Sequence, residues 1–285
     1  MRHMSDVRDA TESPGGNATS DTYTHGHHPS VVRRHQQRTA EKDAAYLLPR
    51  LSPGMRLLDV GCGPGTITVG LAAAVASGEV VGIDVVDEVL TQARAHAAGT
   101  ARANVRFEQA SVYALPYEDA TFDAAHAHQV LQHLSRPADA LREIRRVLRP
   151  GGIVAVRDAD YATMSGWPRS PALDRWLDVY HQVATRNGAD ADAGRRIRSW
   201  LHEAGFADIE LFPTVELYVE AEAADWGNSW AERVLHSSLA EQALAYGVAT
   251  RDELEAIAAG WRAWARADGA LFMFVQIAAL ARRPV

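Results

Sequence analysis

The sequence predicts an α/β fold, a doubly wound sheet of seven strands with helices on both faces and helical insertions that form a cap. Three observations predict it. Short apolar runs alternate with amphipathic helical segments between residues 56 and 158, a glycine-rich turn follows the first run, and beyond residue 158 the pattern becomes largely helical before a closing apolar segment. Short buried strands separated by helices mark a parallel sheet, because each parallel connection needs a crossover that covers one face.

The apolar runs are Arg56–Val60, Val80–Asp84, Val105–Gln109, Phe122–Ala127 and Ile153–Asp158, with helices expected over Thr66–Ser77, Asp87–Ala98 and Pro137–Leu148. The last of these has Pro137 in its first turn, Leu141, Ile144 and Leu148 on one face, and Pro150-Gly151-Gly152 as its stop. Upstream, Ser30 is placed to cap one helix reaching Leu48, ended by Pro49 and Ser52-Pro53-Gly54. Downstream, residues 168–188 read as helix and Arg195–Ala204 as a helix stopped by Gly205. Ile209–Val219 reads as a strand, 222–267 as helix, and Ala270–Ala281 as the final, antiparallel strand.

At 285 residues, 47% of them hydrophobic and 23% charged, the chain can bury a full core. A net charge of −7 leaves no electrostatic footprint for nucleic acid or an anionic membrane. The cluster Arg142, Arg145, Arg146 and Arg149 follows the spacing of a solvated helix face. Cys62 is the one cysteine, which excludes an intramolecular disulfide and the Cys-based zinc motifs, and no metal site is expected. No apolar run approaches the roughly 18 residues of a membrane span, and the N-terminus lacks the apolar core of a signal peptide. A cytoplasmic protein without nucleic-acid or membrane partners is expected, with a homodimer left open.

The sharpest signal is Leu57-Leu58-Asp59-Val60-Gly61-Cys62-Gly63-Pro64-Gly65-Thr66, a strand that enters a glycine turn and then a helix. Glycines allow a tight turn and close approach of backbone to a ligand, and the helix start points free N–H groups at it. A dinucleotide turn would carry a third glycine where Thr66 stands, and Asp59 beside the turn would repel a pyrophosphate. S-adenosylmethionine (SAM), with its ammonium and sulfonium, suits such an acid better. Asp84, about twenty residues past the turn, is placed to accept from both hydroxyls of an adenosine ribose, and serves SAM and NAD alike.

From Met55 to Asp158 the chain resembles the class I SAM-dependent methyltransferase core, with its Rossmann-like sheet, and especially its ubiquinone/menaquinone C-methylase-like branch. The matching stretches are LLDVGCGPGT, VVGIDVVDEVL, ALPYEDATFD, AHAHQVLQHL and LREIRRVLRPGGIVAVRD. The resemblance implies that Asp59, Gly61 and Gly63 lie against the methionine part of SAM, that Asp84 takes the ribose beside Val85, and that Ser111 and Val112 flank the adenine. The family often has an acid where this chain has Ser111. A division follows: a polar tail over 1–22, a lid and helix over 23–50, a SAM-binding core over 51–160, and the remaining strands with the cap over 161–285.

Methyl transfer needs alignment, exclusion of water and, for some acceptors, a base. Tyr23, His25, His27 and His28 either close over the cofactor and supply a base or form a polar lead-in, and Tyr23 is counted with the cofactor set. Beyond the fourth strand stand His126, His128, Gln129 and His133, at the carboxyl edge where doubly wound folds bind ligands. His126 is expected against the cofactor and His128 as the first candidate base, ahead of His25; a buried structural histidine is the other reading of each. Gln129, Arg157, Asp158 and Trp230 are candidates for the acceptor, against salt-bridging or cap packing. The activity expected is methylation of an O, N or C atom of a small molecule. A SAM-binding protein without methyl transfer and an NAD(P)-dependent oxidoreductase are the alternatives.

Overall fold

The computed structural model describes residues 21–24, 26, 29–100 and 102–285. Seven strands are found there: β1 (Arg56–Val60), β2 (Glu79–Asp84), β3 (Val105–Gln109), β4 (Phe122–His128), β5 (Leu148–Trp167), β6 (Ala207–Val219) and β7 (Leu271–Arg282). They form one sheet in the order β3-β2-β1-β4-β5-β7-β6. The first five run parallel, and β7 pairs antiparallel with both β5 and β6. The strand order reverses between β1 and β4, so their connections leave the carboxyl edge in opposite directions and open a crevice there.

The helices are α1 (Pro29–Gln36), α2 (Ala40–Asp43), α3 (Thr66–Ala74), α4 (Asp87–Gly99), α5 (Pro137–Val147), α6 (Pro171–Arg186), α7 (Ala193–Glu203), α8 (Glu220–His236), α9 (Ser238–Ala245) and α10 (Arg251–Trp264). Two expected helices are interrupted. The one expected from Ser30 to Leu48 breaks after Gln36, because Thr39, extended at φ −135°, starts a new helix by accepting the Lys42 N–H on its hydroxyl. A 3-10 turn over Leu48–Arg50 then leads to β1. The segment 222–267 divides at Ser237, extended at ψ 173°, and again before Thr250, which forms a capping box with Glu253. Strand β5 runs well past the expected Asp158, because it keeps pairing with β7 as far as Trp167 and Leu271.

Alternation along the strands distributes the cores. On one face, Leu57, Ala124, Ile153 and Ala155 pack with Ala40, Ala44 and Leu71 under α2 and α3. The close approach of α2 to α3 needs Gly70, where a Cβ would meet that of Ala40 at 2.6 Å. On the other face, Leu58, Val60, Ala125, Val154 and Val156 pack against α5 and α7 through Leu141, Ile144, Ile197 and Leu201. A further core lies between the far halves of β5 and β7 and the cap helices α6, α8, α9 and α10. Its centre is aromatic: Trp176 sits 4.4 Å from Trp230 and 5.0 Å from Trp261, ring centroid to centroid. Trp230 is therefore a buried member of the cap core. Trp230→Ala is expected to cost about 3–5 kcal/mol, measured by urea unfolding.

Candidate active site

The crevice is floored by the turn after β1. Gly61, Gly63 and Gly65 take φ values of +64°, +53° and +78°, a region in which side chains are strained. A Cβ at Gly61 would strike Val130 at 2.5 Å, whereas one at Gly63 would meet nothing within 4 Å, so the turn presents bare backbone to the crevice. Gly65 opens α3 without a side-chain cap, leaving the N–H groups of its first turn directed at the same space. Asp84, at the end of β2, accepts from the Gly63 N–H at 3.1 Å and from the Val86 N–H at 3.1 Å. Turn and acid thus form one unit. Val85 is exposed beside them, with its carbonyl accepting from Gln109 at 2.9 Å. Ser111 is exposed just past the end of β3, and Val112 is buried beside it.

Asp59 lies inward of the turn. Its carboxylate accepts from the Thr68 hydroxyl at 2.6 Å and pairs with His126 Nδ1 at 2.7 Å. Register places Asp59 and His126 side by side on β1 and β4, which made the pair possible. Nδ1 is committed to Asp59, and Nε2 of His126 has no hydrogen-bond partner among the described residues. His128 lies nearly parallel to His126, with ring centroids 6.4 Å apart, and its nearest carboxylate oxygen is Asp43 Oδ1 at 3.9 Å. Burial, then the nearby Arg38 and Arg157 guanidinium groups, hold the His128 ring well below the usual histidine pKa. The same burial favours the uncharged form of the ring, the form that can accept a proton.

Arg157 is bound up within the fold. It donates to Asp43 at 3.0 Å, to Thr214 at 3.0 Å and to Glu216 at 2.8 Å, and Glu216 also accepts from Gln276 at 3.2 Å. Asp158 points to the opposite face of the sheet, fully buried, and accepts the Gln132 N–H at 3.1 Å. Gln129, at φ +55°, turns the chain at the crevice edge, donates to Gln276 at 3.2 Å and accepts from Arg38. Arg38 was missed in the sequence. No carboxylate of the described residues lies within ion-pair distance of it, and it reaches the crevice because α1 crosses the glycine turn, where the Thr66 hydroxyl donates to the His35 carbonyl at 3.3 Å. Its position just before the Thr39 cap was the available signal.

Tyr23 packs edge-on against His133 at 4.6 Å, and its carbonyl accepts from Gln242 of α9 at 3.2 Å. Thr24 accepts from Asn187 at 3.0 Å. Burial raises the Tyr23 phenol to about 12, against the opposing pull of Arg38 and Arg233. The N-terminal segment therefore bridges core and cap over the crevice. His25, His27 and His28 lie outside the described residues.

Residues 51–205 match the family model of a methyltransferase domain. An uncharacterized methyltransferase from Schizosaccharomyces pombe is 34% identical over 225 residues, covering 76% of this chain and 81% of that one. The chain belongs to the class I SAM-dependent methyltransferases. An O-methyltransferase from Penicillium expansum is 31% identical over 218 residues, 72% of this methyltransferase and 75% of that one. Of two further relatives the chain spans 64% and 49% of their lengths. Among solved structures, the [4+2]-cyclase SpnF has a TM-score of 0.51 at 27% identity, covering 90% of this chain and 80% of that one. A phosphoethanolamine N-methyltransferase from Haemonchus contortus, in complex with S-adenosylhomocysteine, has a TM-score of 0.54 at 19% identity, covering 86% and 53%, and shares the fold. With this membership the oxidoreductase alternative falls away. No helix among the described residues is long and apolar enough to cross a membrane.

SAM is the cofactor, and the residues present fit it: bare backbone at Gly63, an acid at the end of β2, and a guanidinium across the crevice.

Asp158 generates a prediction about stability. Burial pushes its carboxyl from the ordinary 3.8 up to about 8. The folded chain thus holds a proton that the unfolded chain releases. The associated stability is fully present below 3.8 and is lost as pH rises through about 8. Asp158→Asn, neutral at every pH and able to accept the same Gln132 N–H, should flatten the profile of thermal midpoint against pH across that window. An unchanged slope would mean that Asp158 is ionised in the folded protein.

Proposed function

We propose that this methyltransferase moves a methyl group from SAM to an O, N or C atom of a small molecule held between the glycine turn and the cap. The observation that supports this best is enclosure. Tyr23 and Thr24 tie the segment above the crevice to His133 on one side and to Asn187 and Gln242 of the cap on the other. A segment tied across the crevice in this way favours a small acceptor over a polymer. The names of relatives such as the Penicillium expansum O-methyltransferase favour oxygen as the acceptor atom. A cytoplasmic location and indifference to nucleic acid belong to the same proposal, supported by the buried free thiol of Cys62 and the net charge of −7.

In this reading Asp84 holds the ribose hydroxyls, Ser111 and Val112 border the adenine beside Val85, and Gly61 and Gly63 let backbone approach the methionine part. Arg38 takes the methionine carboxylate, as a guanidinium that among the described residues donates to the Gln129 amide and to no carboxylate can. Asp59 acts through His126, fixing its ring by the Nδ1 contact. Bound SAM supplies an electrophilic methyl on a cationic sulfur. His128, kept neutral, orients the acceptor by hydrogen bonding. Arg157 and Trp230 support the chamber from within the fold.

A second reading, SAM binding without methyl transfer, is favoured by the similarity to the [4+2]-cyclase. S-adenosylhomocysteine accumulating with a panel of phenolic and hydroxylated acceptors supports transfer, and its absence with every acceptor supports the second reading. Binding itself is tested separately. Asp84→Ala is expected to weaken SAM by about 1.5–3 kcal/mol, the scale of a charge-assisted hydrogen bond, in titration calorimetry. Unchanged affinity would overturn the ribose assignment.

A further inference from the structure

Strands β5, β7 and β6 extend past the parallel half of the sheet, and there the two faces are treated differently. One face carries Tyr218, Phe272 and Phe274, all buried under the cap. The other carries Val215, Leu217 and Val219 of β6, Met273 of β7 and Trp167 of β5. Register aligns them: Leu217 pairs with Met273, and Val219 and Trp167 both pair with Leu271. Helix α7 covers this face only near Ile209 and Ile277. Beyond it, Trp167 is 64% exposed, Val215 62%, Leu217 49% and Met273 43%. Scattered exposed side chains need no explanation, but a contiguous apolar row on a sheet face does.

We propose that this face is where a second copy of the chain docks, sheet face to sheet face about a twofold axis. The row exposes on the order of 500 Å² of apolar side chain, taking roughly 150–250 Å² for a large aromatic and less for each aliphatic. A standard interface takes about 800 Å² from each partner, of which about 65% is apolar in homodimers. The patch therefore matches the apolar part of one such interface. It is self-complementary in chemistry, being aliphatic with a single indole, as an isologous contact requires. Two other occupants fit less well. Residues 1–20 offer only Met1, Met4 and Val7 as large apolar side chains. A lipid surface favours basic residues at the rim, and here Glu220 and Glu222 follow Val219. Continuous pairing of β6 edges is blocked by Pro213, which has no N–H to give an added strand. Packing of faces, with the edges free, is what remains.

The test is the oligomeric state of the full chain. Sedimentation velocity should show a species of twice the chain mass that dissociates on dilution, and Leu217→Lys combined with Met273→Lys should yield monomer. Both side chains are exposed, so the thermal midpoint of diluted protein should not move. Hydrogen exchange of wild-type β6 and the Leu271–Val275 stretch should slow as concentration rises, a readout independent of the variant. A wild-type chain that stays monomeric throughout would overturn the proposal. So would a dimer that survives both substitutions, or one whose exchange at β6 does not depend on concentration.

Discussion

The buried guanidinium of Arg157 is the interaction on which the arrangement of the crevice depends. Moving a charge from water into a protein interior costs several kcal/mol, and the cost is offset only when every end is paired. Here the pairing is full: Arg157 lies between Asp43 and Glu216, with Thr214 beside it, and Lys42 stands 3.5 Å from the other oxygen of Glu216. Asp43 ends α2, so the network fixes that short helix to β5 and β6. The contact of α2 with Gly70 then sets it on α3, and α1 is carried across the glycine turn. Arg38, between the two helices, arrives at Gln129 as a result. The position of Arg38 beside the glycine turn thus rests on charges that lie behind it, in the Arg157 network.

Two histidines and three phenols near the crevice are held by burial away from titration near neutrality. Burial lowers His133 to about 3 and holds His128 well below its ordinary value. Burial raises the Tyr23 phenol to about 12 and the Tyr161 and Tyr180 phenols above their usual range. Guanidinium groups are the fixed charges: Arg34 lies over the Tyr218 and Trp226 rings at 4.7 and 5.0 Å, and Arg233 over Trp230 at 5.1 Å. Under the proposed function, such surroundings favour alignment and preorganised dipoles over proton shuttling. That suits a displacement in which the leaving group departs as a neutral sulfide.

Much of the cofactor half was legible in the sequence, for a local reason. Strands β1 and β3 have the expected bounds, and the glycine turn with Asp84 lies where the spacing put it, because turn chemistry and strand alternation are written in consecutive residues. What escaped depends on distant partners. The far half of β5 reads as irregular because its pairing is with β7, more than a hundred residues away. The engagement of Asp59 by Thr68 and His126 is one such feature, since it follows from the pairing of β1 with β4. The break between α1 and α2 lies in a helix-compatible stretch, and only the Thr39 cap, with Asp43 accepting the Thr39 N–H at 3.0 Å, decides it.

The cap core draws all its buried members from Ala159 onward, while the cores beneath the glycine turn take theirs from Ala40 to Val156, from α7 and its end, and from the last few residues of β7. Two bodies of packing therefore share a backbone but few side chains. Mutations that reshape the one leave the rotamers of the other largely undisturbed, since packing energies add when sites have no common neighbours. Substitutions within the aromatic core of the cap can therefore accumulate while the packing around the glycine turn stays intact.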